Sequence, residues 1–350
     1  MNYHLFRWIP IIILSVVTTG LAQAEEHRHQ NHMQHESHSQ HQVSNVQHEH
    51  IHHVHKSGGW MLEYRLMRME MDNMLTGSNR VAASDVAKMG SLYKNSSGGD
   101  YMMAPTDMSM NMHMLMGMHA QSDHLSWMVM LNYLDNKMGM INRMGAQSTM
   151  TASGLGDVEI GAMYKLYDKD SAQFLLNLGL SIPTGSINQQ NSQGILPYTM
   201  QLGSGTYDLK PSFTYRDNQN QWSWGVQASY TFRTAKNSQK YSLGNRLEGQ
   251  SWIKFSPIKG SSVTTRLTYS DWQSISGSSK DITMMQRNMS PTFDALNSGG
   301  KRLDASVGIS HMFAGGHMLG VAYGIPVYQN LDGLQMRAKQ MVSLSWQYMH

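Results

Sequence analysis

From Trp60 to the C-terminus the chain keeps a period of two, and that period constrains its fold more than any other feature. Trp60, Leu62, Tyr64 and Leu66 alternate with Met61, Glu63, Arg65 and Met67. Leu125, Trp127, Val129, Leu131 and Tyr133 alternate with Ser126, Met128, Met130 and Asn132, and near the end Val342, Leu344, Trp346 and Tyr348 alternate with Ser343, Ser345 and Gln347. Successive strand residues point to opposite faces, so each segment reads as a β-strand with one apolar face. The pattern predicts twelve strands, over 59–71, 106–119, 124–135, 154–168, 171–182, 205–217, 220–233, 244–256, 261–273, 301–313, 316–326 and 338–348. The connections alternate between tight turns and longer stretches rich in Gly, Ser and Asn. An even strand number with short turns at one end and long loops at the other is how transmembrane barrels are built.

A soluble β-sandwich would alternate too, but its inner face would have to be dry. Here the polar alternates include Glu63, Arg65, Asp157, Glu159, Arg302 and Asp304. That is too many charges for a small soluble core, and it fits a watery lumen. Tyr64, Tyr133, Tyr164, Tyr167, Tyr230, Tyr269 and Tyr348 lie toward strand ends, where interfacial girdle residues belong. The expected fold is all-β: a transmembrane antiparallel β-barrel of about 12 strands, preceded by a disordered His-rich tail.

The first 24 residues read as a signal peptide. Arg7 supplies the positive start, Ile9 to Val17 the apolar stretch, and Ala22-Gln23-Ala24 the cleavage site. Residues 25–57 are Gln, Asn, Ser and His with almost nothing apolar, a composition that cannot offset its ordering entropy. The barrel is expected over 58–350. The export signal and barrel pattern together place the chain in a bacterial outer membrane, its lipid being the first partner. An even barrel brings both termini to the short-turn side, so the tail should lie in the periplasm. The net charge of +3 over 350 residues implies no nucleic-acid partner.

Cysteine is absent, which excludes thiolate zinc sites, iron–sulfur clusters and disulfides. Methionine is abundant: 20 of the 32 fall between Met61 and Met150. Thioether sulfur is a soft ligand that suits Cu(I). Met61, Met67, Met69 and Met71 share a face with Glu63 and Arg65, and Met128 and Met130 share one with Ser126 and Asn132, so these six are expected in the lumen. In the second strand Met108, Met110, Met112, Met114, Met116 and Met118 share one face. The other carries Asp107, Ser109, Asn111 and His113, which are costly in lipid. By elimination that Met stripe is expected to face the acyl chains and His113 to join the lumen ligands. Met138, Met140, Met144 and Met150 are expected in a loop forming a Met-rich mouth.

The tail holds 11 of the 18 histidines. In an extended segment i and i+2 project to one side, so His48, His50 and His52, or His53 with His55, can converge on Cu(II) or Zn(II). No phosphate loop, HExxH or Ser/His/Asp arrangement occurs, and no enzyme is expected.

The stretch Gly154-Leu155-Gly156-Asp157, followed by Pro183-Thr184-Gly185, resembles the phenol-degradation meta-pathway transporter family of outer-membrane proteins, over about Gly58 to the C-terminus. Ala104-Pro105-Thr106-Asp107-Met108 to Met114 resembles its Met-rich, copper-associated branch. The chain departs from the usual aromatic last residue of such barrels, with Met349-His350 following Tyr348. The leading expectation is a barrel that binds copper through Met and His and transports or sequesters it, with periplasmic copper carriers as further partners. The alternatives are a passage for small hydrophobic or aromatic compounds, which the resemblance implies, and a metal-buffering surface protein that uses the barrel as an anchor.

Overall fold

The computed structural model describes residues 57–169 and 171–350. The expected signal, residues 25–56 of the tail and with them His48, His50, His52, His53 and His55 lie outside them. The wall consists, in chain order, of β1 (Trp60–Gly77), β2 (Met103–Ala120), β3 (Leu125–Asn142), β4 (Val158–Lys169), β5 (Ala172–Ile182), β6 (Asp208–Gln219), β7 (Trp222–Arg233), β8 (Arg246–Ile258), β9 (Ser261–Trp272), β10 (Gly300–Met312) and β11 (His317–Met349). Each pairs antiparallel with the next, and β11 pairs with β1 to close the barrel. Two further strands of the same sheet lie outside this ring, Asn79–Val81 on β1 and Gln147–Leu155 on β3, and two short antiparallel pairs, Gln190–Asn191 with Gly194–Ile195 and Tyr241–Ser242 with Ser276–Gly277, lie in the loops.

β11 runs for 33 residues because it doubles back at Gly333, whose φ of +71° favours a residue without a Cβ. Its first half pairs with β10 and its second with β1. The halves also bond each other, with Ala338 N–H donating to Gln329 Oε1 at 3.0 Å and Met349 N–H to the Gly316 carbonyl at 3.0 Å. Eleven elements therefore cross the wall twelve times, as the alternation predicts.

Long apolar side chains cover the outside. Leu115 (43 % exposed), Val129 (47 %), Trp127, Leu131, Ile160, Phe213, Val226, Leu267, Val321 and Leu344 all point outward. The inner face of β1 to β3 is thioether: Met61, Met67, Met69, Met71, Met108, Met110, Met112, Met114, Met116, Met118, Met128, Met130, Met138 and Met140 are all buried.

The stripe from Met108 to Met118 thus faces the lumen, contrary to the elimination argument. The reason is height along the barrel. Asp107 pairs in register with Asp72, Asn111 with Arg68 and Asp135, and Ser109 with Glu70 and Lys137. Together these make a polar outer rim toward the long-loop end, beyond the apolar belt, where outward polar groups cost little. Arg68 bonds Glu70 at 3.0 Å and Asn111 at 3.2 Å, and Asn111 bonds Asp135 at 3.2 Å. His113 is outside too, its Nδ1 paired with the Tyr64 hydroxyl at 2.7 Å.

β1, β2 and β3 are also taller than predicted, at 18 residues each. Met138, Met140 and Met150, expected in a loop, sit on strand faces because 136–142 continues to pair with β2 and Gln147–Leu155 folds against it.

The facing is testable on adjacent residues. Val129→Arg should cost about 2–4 kcal/mol in urea unfolding from lipid vesicles, the penalty for a charge on the mid-bilayer face. Met130→Gln, pointing inward, should cost clearly less, and the opposite order would put the Met face in lipid.

Candidate functional site: a thioether-lined lumen

Strand register sorts the inner side chains into rows. At the short-turn end Met349, Met61, Met118 and Met128 stand side by side on four neighbouring strand segments. The next row is Gln347, Glu63, Met116, Met130 and Glu159. Toward the loop end come Met67 beside Met112, then Met341, Met69, Met110 and Asn136, then Met71, Met108, Met138 and Met150. Directly opposed residues of antiparallel strands hold their Cβ atoms about 4.5–5.5 Å apart, so thioethers in one row are in mutual reach. Leu134 and Leu175 are aliphatic residues that share this wall. Within the Met wall Glu63 accepts from Arg65 Nε at 2.8 Å, and Gln347 Nε2 donates to Met61 Sδ at 2.8 Å.

The opposite wall, from β5 to β10, is polar. Ser212, Thr214, Ser229, Thr231, Gln250, Thr264 and Thr268 face inward between ion-paired rungs. Lys210 pairs with Glu159 at 2.5 Å, Arg233 with Asp208, Arg246 with Glu248 at 3.1 Å and Arg302 with Asp304 at 2.9 Å. The Arg246 guanidinium also lies over the Trp272 ring, 5.2 Å from its centre. Between the walls are cavities of about 140 Å³ and about 70 Å³. The lumen is therefore narrow and two-sided, with one wall apolar, where the charge pattern alone suggested a watery lumen.

Loops from the long-loop end close it. Ile195, Leu196, Tyr198, Met200, Leu202, Tyr241, Leu243, Ile275, Ile282 and Phe293 form one apolar cluster with Met69, Met71, Met108, Met110, Met138 and Met140. The Tyr198 and Tyr241 rings meet edge to face at 5.0 Å. Burial pushes both phenols above their ordinary range, so they stay neutral within the plug.

Asp157 ties this plug to the wall. Its carboxylate accepts from the Gly185 N–H at 2.9 Å, the Ser204 N–H at 2.8 Å and the Ser204 hydroxyl at 2.6 Å. Thr184 Oγ1 accepts from Val158 N–H at 2.9 Å and donates to the Gly156 carbonyl at 2.9 Å. The Gly-Leu-Gly-Asp and Pro-Thr-Gly segments, remote in sequence, are thus one clamp. Gly185 and Gly203 pack backbone to backbone there, and a Cβ on either would run into the other.

Of the residues singled out in the sequence, Met61, Met67, Met128 and Met130 fall in one buried cluster with Met112, Met114, Met116, Met118 and Met163. Met69 and Met71 instead pack against the plug. His113 is separated from all of them by the barrel wall. Among the described residues no three His, Asp or Glu side chains converge as a metal site. The sequence missed Met112 to Met118 and Met163. The signal that finds them is register: once Met61 and Met67 face inward, their partners Met118 and Met112 must as well.

The family model described as "Putative MetA-pathway of phenol degradation" matches residues 95–314. The chain belongs to this family. No curated protein matches it in sequence. Among solved structures it is similar to an outer-membrane channel from Pseudomonas putida F1, at 12 % identity and a TM-score of 0.60, over 86 % of this chain and 98 % of that one. The KdgM porin (12 % identity, TM-score 0.40, over 82 % and 98 % of the two chains) and the Pseudomonas putida toluene transporter TodX (7 %, 0.42, over 84 % and 90 %) are looser matches. The first of these likenesses makes the fold that of an outer-membrane barrel.

Asp157→Ala should release the 186–206 loop. Chymotryptic cleavage at Tyr198 should rise, and stability should fall by about 1–3 kcal/mol as Ser204 and Gly185 lose their acceptor. Unchanged protection would show that apolar packing alone holds the plug.

Proposed function

We propose that the protein is an outer-membrane passage for small, largely apolar compounds, aromatic ones included. The observation that carries this is the two-sided lumen, a thioether wall facing hydroxyl and amide groups across a narrow gap. An apolar solute entering it exchanges water for Met side chains, which adapt to irregular shapes and make favourable contacts with aromatic rings. Charged or strongly hydrated solutes gain nothing from that wall. Family membership supports the same reading, since its description concerns phenol degradation.

A specific observation favours a second reading, copper handling. On β1 to β3 the methionines point inward, while leucine, valine, tryptophan and tyrosine on the same strands mostly point outward. If Met served only as filler, Leu would serve as well inside. Sorting by face selects for sulfur, and rows of thioethers offer several weak soft sites through which Cu(I) could pass without being trapped. In this version the tail histidines His48, His50, His52, His53 and His55 collect Cu(II) or Zn(II) in the periplasm. Met61, Met67, Met69, Met71, Met128 and Met130 line the path, and periplasmic copper carriers exchange metal with it. His113, on the outer face, takes no part.

One variant separates the two. With Met116, Met118, Met128 and Met130 all changed to leucine, uptake of a neutral aromatic by reconstituted vesicles should stay within about two-fold, because apolar area is conserved. Binding of Cu(I) by the same protein should fall at least about ten-fold if sulfur ligates it. Loss of aromatic uptake with copper binding intact would reverse the order of the two readings.

A further inference from the structure

Beneath the plug, where the two walls meet, the 140 Å³ cavity is lined by Met110, Met112, Met130 and Leu134 on one side and by Asn132, Asn136 and Thr199 among its polar groups. Asn136 is fully buried, yet among the described residues neither its amide oxygen nor its amide nitrogen has a hydrogen-bond partner. The same holds for Asn132 Oδ1 and Thr199 Oγ1. Buried amides are ordinarily satisfied, and one that is not costs stability. A side chain that the fold would be more stable without, placed against an apolar surface in a cavity, points to a molecule that completes it.

The chemistry of that molecule follows from what the cavity already matches. Its charged groups are paired within the wall: Lys210 with Glu159, Arg233 with Asp208 and Arg246 with Glu248. Asp157 is filled by Gly185 and Ser204. An entering ion would have to break one of these pairs, so the occupant is uncharged. Met110, Met112, Met130 and Leu134 offer it an apolar bed, and an engineered apolar cavity of about 150 Å³ takes up benzene. Asn136 offers a donor and an acceptor together, which suits one hydroxyl or carbonyl group.

We propose that this cavity is a binding chamber for a small uncharged molecule with an apolar ring-sized body and a single hydroxyl or carbonyl, anchored by Asn136. It rests on the passage reading and makes the chamber its selective step. Asn132 and Thr199 stand beside Asn136 in the lining, and the plug residues Tyr198 and Leu202 line the chamber as well.

Benzyl alcohol and ethylbenzene differ by a hydroxyl in place of a methyl, and serve as probes. Their binding to the full chain in detergent is measured calorimetrically beside Asn136→Leu, which cancels partition into micelles. The variant should bind benzyl alcohol about ten-fold more weakly and ethylbenzene as tightly or more so. Its melting temperature without ligand should be equal or higher, because an unsatisfied amide has gone; a merely structural Asn136 would lower it. Equal losses for both probes, no saturable binding by the native chain, or a lowered melting temperature would overturn the proposal. Vesicle uptake of the same probes keeps the two ideas apart. Passage of both compounds, unchanged by Asn136→Leu, sinks the chamber and spares the passage. Saturable, Asn136-dependent binding without passage does the reverse.

Discussion

Closure of the hydrogen-bonded ladder between β1 and the returning half of β11 is the constraint on which the rest of the molecule depends. Once the ring is shut, neighbouring strands must agree on which of their alternating faces looks inward. A strand's register against one neighbour fixes which alternate set looks inward, and that neighbour passes the decision to the next. Met61 opposite Met349 and Met118, and Met118 opposite Met128, are consequences of one ladder. The rows of thioethers arise from it, since residues distant in sequence share a level only because the strands are paired.

That ladder also explains how so apolar an inner wall sits in a barrel whose other half is charged. The Met side is continuous over β1, β2 and β3, and the ion-paired side runs over β6 to β10. The pairs Lys210–Glu159, Arg233–Asp208, Arg246–Glu248 and Arg302–Asp304 limit the desolvation cost of holding charge in a narrow lumen. The plug loops use the asymmetry. Their Leu, Ile, Phe and Tyr side chains bed on the upper methionines, and the Asp157 clamp fixes their base. The bore thus has two walls of different character and a plug of loops, with the unsatisfied Asn136 at the cavity beneath it.

Much of this was legible in the chain. Twelve crossings, the tight turns at one end, the inward Glu63, Arg65, Glu159, Arg302 and Asp304, and the inward Met61, Met67, Met69, Met71, Met128 and Met130 follow from alternation within single strands. The stripe from Met108 to Met118 did not. Lipid cost misplaces it because Asp107, Ser109 and Asn111 sit on a polar rim beyond the bilayer and His113 is met by Tyr64. The plug was equally hidden, because loop residues such as Tyr198, Tyr241 and Phe293 carry no period that says where they return.

By itself the sequence determined the β-barrel class, its strand number and the two faces of most strands, since a period of two is a local property of the backbone. Only the tertiary structure decided which faces stand side by side, how high each residue lies against the membrane belt, and which loops fill the bore. These depend on pairings between residues far apart in the chain, whose register no single segment encodes.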